Sequence, residues 1–283
     1  SESTRDDPTR SPRLSMVMSV LALLLLGAAP PWPTTATSTA IAARIPPPEG
    51  YTRIAVEPGS FGAWLRALPV KVGRPQVMLF DGRAKRNQEA HAYVLDVDVG
   101  PKDLQQCADF VMRLFAEYQW SVNATDRLCF RFTSGDRVPW SRWAAGDRPV
   151  ARGNKVSWSK GARADASYGS FRRYLDAVFN YAGTFSLARD LGAVADRKKI
   201  ALGDVFIQGG FPGHAVVVVD VVEDAAGARR FMIAQSFMPA QDPHVLMSPE
   251  GAWYRATGEG DLDTPEWTFR WTDLKRFGAS ACP

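Results

Sequence analysis

Cys107, His214 and Gln235 are the side chains whose types and spacing could do chemistry together. A thiol attacks a carbonyl as thiolate, and an imidazole can take its proton and later hand it to a leaving group. Cys107 lies one turn into a helix expected to begin at Asp103, where the positive end of the helix dipole favours the thiolate. His214 follows the Gly/Pro turn Gly209-Gly210-Phe211-Pro212-Gly213 and opens the apolar run Ala215–Val219, a pattern of a strand buried on both faces. A histidine at the mouth of such a strand is held rigidly and can still face a cleft. Gln235 closes the next strand, Phe231–Gln235, and a hairpin would set its amide beside the start of the His214 strand. That amide is the candidate for the third group, the one that orients an imidazole.

Each residue also has a plainer reading. A free cysteine is often a small buried hydrophobe, a histidine can cap a turn, and a strand-end amide can simply be satisfied. His91 is a rival base, sixteen residues before Cys107. It opens a strand whose other end leads to the Cys107 helix, and the rise of about 3.3 Å per strand residue argues against direct pairing. Asp96 and Asp98 share a face of that strand and with His91 could be imagined as a metal site, but two carboxylates at that spacing are the usual mark of a solvated face. His244 falls in a Pro-rich loop and carries little information. Gly209-Gly210 lacks the Lys and Ser/Thr of a phosphate-binding loop, and no cofactor or metal is implied.

The elements around these residues follow from periodicity. Ser60 caps a short helix to Ala67, and His91–Val99 alternates as a half-buried strand. A helix runs from Asp103 to about Trp120 and another from Ser170 to Asn180. Strands are expected near 77–80, 128–134, 155–159, 205–207, 215–222 and 230–235, with an aromatic, turn-rich tail. No internal repeat or linker divides residues 51–283, so the expectation is one α+β domain with a central, mostly antiparallel sheet and packed helices.

Ahead of it, Arg5, Arg10 and Arg13 precede the apolar run Met16–Ala29 and a Pro/Thr/Ser/Ala stretch. Residues 1–43 therefore read as a secretory signal peptide with its small-residue cleavage region (such as Ala40-Ile41-Ala42), and 44–50 as a Pro-rich linker. Met16 or Met18 is the expected start of translation. The apolar run is short for a bilayer span, so no stable membrane span is expected after cleavage. The formal charge of +4, from 34 basic and 30 acidic residues, gives no footprint for nucleic acid. Three cysteines in an oxidising compartment leave at least one thiol free. A Cys129–Cys282 bridge and three unpaired thiols are both open.

The blocks Asp103–Asp109, Phe130–Gly135, Gly153–Trp158, Tyr174–Asp176, Tyr181–Thr184 and Gly203–His214 resemble a bacterial family labelled domain of unknown function 4846, from about Tyr51 to the C-terminus. More distantly, Cys107 with Ala108–Val111 and the Gly203–Phe206 and His214–Val217 pair look like the two signature blocks of NlpC-type papain-like cysteine peptidases. In place of the Asp common before that family's nucleophile stands Gln106. The resemblance implies a papain-like domain with Cys107 as nucleophile, His214 as base and Gln235 as orienting group. The expectation is then an exported thiol hydrolase, periplasmic or extracellular, cleaving an amide bond, with peptidoglycan or another peptide as substrate. The alternative is a non-catalytic module that binds a glycan or peptide, with tryptophans 140, 143, 158, 253, 267 and 271 as stacking surfaces.

Overall fold

The structure, a computed structural model, describes residues 30–256 and 260–278. Nine strands form one sheet: β1 (Tyr51–Arg53), β2 (His91–Val94), β3 (Gly192–Ala193), β4 (Asp204–Gln208), β5 (His214–Asp224), β6 (Arg229–Gln235), β7 (His244–Leu246), β8 (Tyr254–Arg255) and β9 (Leu274–Arg276). Their spatial order is β2-β7-β6-β5-β4-β9-β3, with β1 added along the end of β5 and β8 along the start of β6. Every pairing in it is antiparallel, as hairpin-spaced runs of β-branched residues dictate.

The valine run of β5 is buried on both faces. Ala215, Val217 and Val219 join one core, and Val216, Val218 and Val221 the other. At about 1.5–3 kcal/mol per buried aliphatic side chain, this strand is the thermodynamic centre of the sheet. A bulge between Val218 and Asp220 shifts the register against β6. The buried Asp220 carboxylate there takes Arg53 at 2.7 Å and Arg66 at 2.6 Å, tying β1 and the helix Phe61–Arg66 to the middle strand.

The helices are α1 (Ile41–Arg44), α2 (Phe61–Arg66), α3 (Cys107–Ser121), α4 (Trp140–Ala144), α5 (Tyr168–Tyr181) and α6 (Thr184–Asp190). Ser60 caps α2, accepting from Ala63 N at 3.2 Å. α3 lies on the Ala215/Val217/Val219 face, and its Phe110, Val111 and Leu114 enter the same core. Two short ribbons, 129–131 with 137–139 and 147–152 with 155–160, sit outside the sheet.

Three expectations change. Packing begins well before Tyr51: Trp32, Ile41 and Ile45 are all buried in the main core, and residues 39–40 pair with 69–70. Ala40-Ile41-Ala42 is a strand-to-helix junction with Ile41 fully buried. The apolar run Met16–Ala29 lies outside the described residues. The strand expected over His91–Val99 stops at Val94, because Leu95 N turns to Pro243 O and Asp96 N to Pro69 O. Asp96 itself is buried, and its Oδ2 accepts from Thr35 N and Ser38 Oγ, latching the N-terminal segment rather than facing water or a metal. Asp98 pairs with the fully buried Arg113. Finally, Cys129 is disulfide-bonded and Cys107 is free, so the chain does not carry three unpaired thiols. Cys282, the other end of the Cys129–Cys282 alternative, lies outside the described residues.

Candidate active site

Cys107 is the first residue of α3, not one turn inside it. Asp103 does not cap the helix because tertiary partners take its carboxylate. Its Oδ1 accepts from Ala240 N at 2.7 Å and from the Gln106 side chain at 3.0 Å. Gln106 is the N-cap, and its N–H donates to Asp109 Oδ2 at 3.1 Å. Ser236, the residue after Gln235, has its hydroxyl 2.8 Å from Gln105 O and 2.9 Å from Gln241 O, and its single proton is shared between the two carbonyls. The loop leaving β6 is thus stapled to the chain entering α3, which places the thiol at the start of β5.

His214 is aimed by the turn before it. Gly213 is the residue that fits there: a Cβ would lie 2.3 Å from Thr184 Oγ1 and 2.6 Å from Gln208 O. α6 packs on the turn through Thr184 Oγ1, which donates to Gly210 O at 3.2 Å. The imidazole is 1% exposed, between the rings of Phe237, Trp267 and Phe269, with centroids at 4.9, 5.3 and 5.8 Å. Its Nε2 meets Gln235 Oε1 at 2.7 Å. An amide oxygen only accepts, so this bond assigns the proton to Nε2 and leaves the Nδ1 lone pair as the base.

Cys107 reaches the same strand one residue further on. Its thiol lies against the backbone N–H of Ala215, while the His214 ring is out of phase with α3 and joins the aromatic cluster. Among the described residues no hydrogen bond joins thiol and imidazole. Structure therefore brings His214 and Gln235 into direct contact and Cys107 beside the His214–Ala215 peptide.

Electrostatics reverses one expectation. Burial pushes the Cys107 thiol up to about 11, with the neighbouring Asp109 adding to it, while the N–H groups of Ala215, Ala108 and Cys107 pull the other way. Burial likewise pulls His214 down to about 4, opposed by the Gln235 bond and reinforced by Lys85. A helix terminus contributes roughly 0.3–2 kcal/mol toward a thiolate, and a two-unit upward shift is worth about 2.7 kcal/mol against it. Desolvation wins, and the resting pair is neutral thiol and neutral imidazole.

Sequence reasoning missed the polar groups behind Gln235. Its Nε2 donates to Glu266 Oε2 at 2.7 Å and approaches His244 Nε2 at 3.3 Å. Glu266 pairs with Lys85 at 2.8 Å. His244, unremarkable in sequence, is fully buried, donates Nδ1–H to Asp242 O at 2.9 Å, and is pulled by burial down to about 3. His91 lies 6.1 Å from the His244 ring and against Pro75 O at 3.0 Å. Three strand spacings, about 14 Å, separate it from His214. Among the described residues no group of His, Cys, Asp and Glu side chains could hold a metal.

The tryptophan side chains each lie against neighbours of their own. Trp140 and Trp143 pack on Tyr174, Trp158 lies under Arg142, Trp253 is buried, Trp267 covers His214 and Trp271 meets Phe206. Among the described residues no helix is long and apolar enough to cross a membrane.

Searches of curated proteins and of solved structures return no match for this chain. The family model described as Domain of unknown function (4846) matches residues 41–276, a span that starts at buried Ile41 and ends in β9 and so takes in the whole sheet and every residue of the candidate site. The chain belongs to the domain of unknown function 4846 family.

Proposed function

We propose that the protein is an exported thiol hydrolase of papain-like, NlpC-type design that cleaves an amide bond, with cell-wall peptide as the favoured substrate class. The observation that carries this reading is the convergence at the start of β5. A free cysteine at the first position of a helix abuts the peptide that follows His214, and Gln235 holds the imidazole by Nε2 at 2.7 Å. Nδ1 takes the thiol proton as sulfur attacks the carbonyl carbon, and returns it to the leaving amine as the C–N bond breaks. Water then hydrolyses the acyl-enzyme with His214 again as base. The N–H of Cys107 at the helix terminus, which faces its own sulfur, supplies a donor for the oxyanion. A neutral resting pair suits a site whose proton transfer is coupled to attack, and thiol–imidazole contacts are often loose before substrate enters.

The second reading, a non-catalytic binding module, is favoured by one observation: thiol and imidazole are both buried and not hydrogen-bonded to each other. One experiment separates the two. Wild type and Cys107→Ala are incubated with peptidoglycan fragments and peptides, with mass spectrometry for released amine and for acyl-enzyme. The hydrolase reading expects turnover and a covalent adduct on Cys107 in wild type alone. Equal turnover by both proteins, or fragment binding without any cleavage by either, refutes it.

A further inference from the structure

Lys85 and Glu266 stand 181 positions apart in sequence, yet their side chains meet at 2.8 Å, 6% and 13% exposed. An ion pair withdrawn from water this far contributes little net stability, since desolvation offsets attraction. Its location is more informative than its strength. The Glu266 oxygen that takes Lys85 also accepts from Gln235 Nε2 at 2.7 Å. A carboxylate cannot donate, so the Gln235 nitrogen must face it and the Gln235 oxygen must face the other way, toward His214. His244 agrees with that orientation. Its Nδ1–H is spent on Asp242 O, so its Nε2 is an acceptor turned toward the same Gln235 nitrogen. Without Glu266, nothing but His244 distinguishes the two ends of the amide, and a flipped Gln235 would present N–H to His214 and force its proton onto Nδ1.

We propose that Lys85 and Glu266 are the positioning pair of the site: Glu266 fixes which end of the Gln235 amide meets His214, Lys85 holds Glu266 in place as a carboxylate, and together they fix the imidazole with its proton on Nε2 and its lone pair on Nδ1. The inference takes its purpose from the thiol-hydrolase reading, in which Nδ1 is the base, and is tested on the imidazole itself. Lys85 Nζ also sits 5.0 Å from the centroid of Phe237, the ring that shields His214, so the pair is built into the wall of the site.

The experiment is long-range proton–nitrogen NMR on the full chain labelled with 15N-histidine, the three histidines being assigned by substitution. Wild type is expected to hold His214 as Nε2–H alone. Lys85→Met/Glu266→Met, which leaves no lone buried charge, is expected to give a mixture in which Nδ1–H is readily detected. If that protein does not fold, Glu266→Gln preserves volume and replaces an obligate acceptor with an amide that can also donate, and the same mixture is expected. A wild-type His214 carrying its proton on Nδ1, or a sole Nε2–H form kept in the folded variants, overturns the inference. A hydrolase reading refuted by Cys107→Ala would leave this tautomer result standing, so the two failures are told apart.

Discussion

Alkylation of Cys107 in the unliganded protein reports directly on the neutral resting pair. Burial lifts the thiol from its ordinary 9.0 to about 11. At pH 8 the thiolate fraction then falls from roughly one in ten to roughly one in a thousand, a hundredfold loss of reactive species. A more basic thiolate is also a better nucleophile, and a Brønsted slope of about 0.4–0.5 returns roughly six- to tenfold. The net expectation is iodoacetamide modification roughly 10–20-fold slower than for an exposed cysteine, before any slowing by restricted access. Rate should climb about tenfold per pH unit from pH 7 to 10. Peptide mass mapping of the 107-containing fragment against time and pH gives both numbers. Asp109→Asn keeps an acceptor for Gln106 N but removes the second cause of the shift, and should speed modification severalfold at pH 8. A fast rate that is flat between pH 5 and 8 would refute the reasoning, because only a preformed thiolate–imidazolium pair behaves that way.

Three further outcomes follow from the packing. Burial holds His244 down at about 3, below the ordinary 6.5, so the fold keeps it neutral while the unfolded chain takes up a proton below pH 6.5. Stability from this group is present above pH 6.5 and lost as pH falls. His244→Gln should therefore remove about 3 kcal/mol of the loss between pH 7 and 4.5, read by denaturant titration at both. Asp109, whose carboxyl burial pushes up, acts with the opposite sign but is common to both proteins. Trp32→Ala should cost about 3–5 kcal/mol, measured by the same titration, and a loss under 1 kcal/mol would place Trp32 outside the core. Ser236→Ala removes both bonds that staple the β6 exit to Gln105 and Gln241. It should destabilise by roughly 1–3 kcal/mol and quicken Cys107 alkylation more than its change in melting temperature alone explains.

What could be read from sequence, and what could not, divides along the reach of the forces involved. β5 and β6 were legible because alternation and turn residues are local: Gln235 and His214 needed only a hairpin to meet, and they do at 2.7 Å. The start of α3 was misread for the converse reason. Asp103 is a good local cap, but Ala240 N, far along the chain, competes for the same carboxylate and wins, moving the helix start to Cys107. The Pro/Thr/Ser stretch before Tyr51 has linker composition and no periodicity, yet Trp32, Ile41 and Ile45 are buried in the core and Asp96 holds Thr35 and Ser38. Lys85, Glu266 and His244 carry no pattern at all, since a buried polar network is defined by partners in space. The thiol itself shows the largest reversal. A helix terminus is a local argument for thiolate, and burial is a global one for thiol. Ser236 to Gln105 and Ala240 to Asp103 bring Cys107 to β5, where its thiol is buried. Positioning and deactivation thus share a cause.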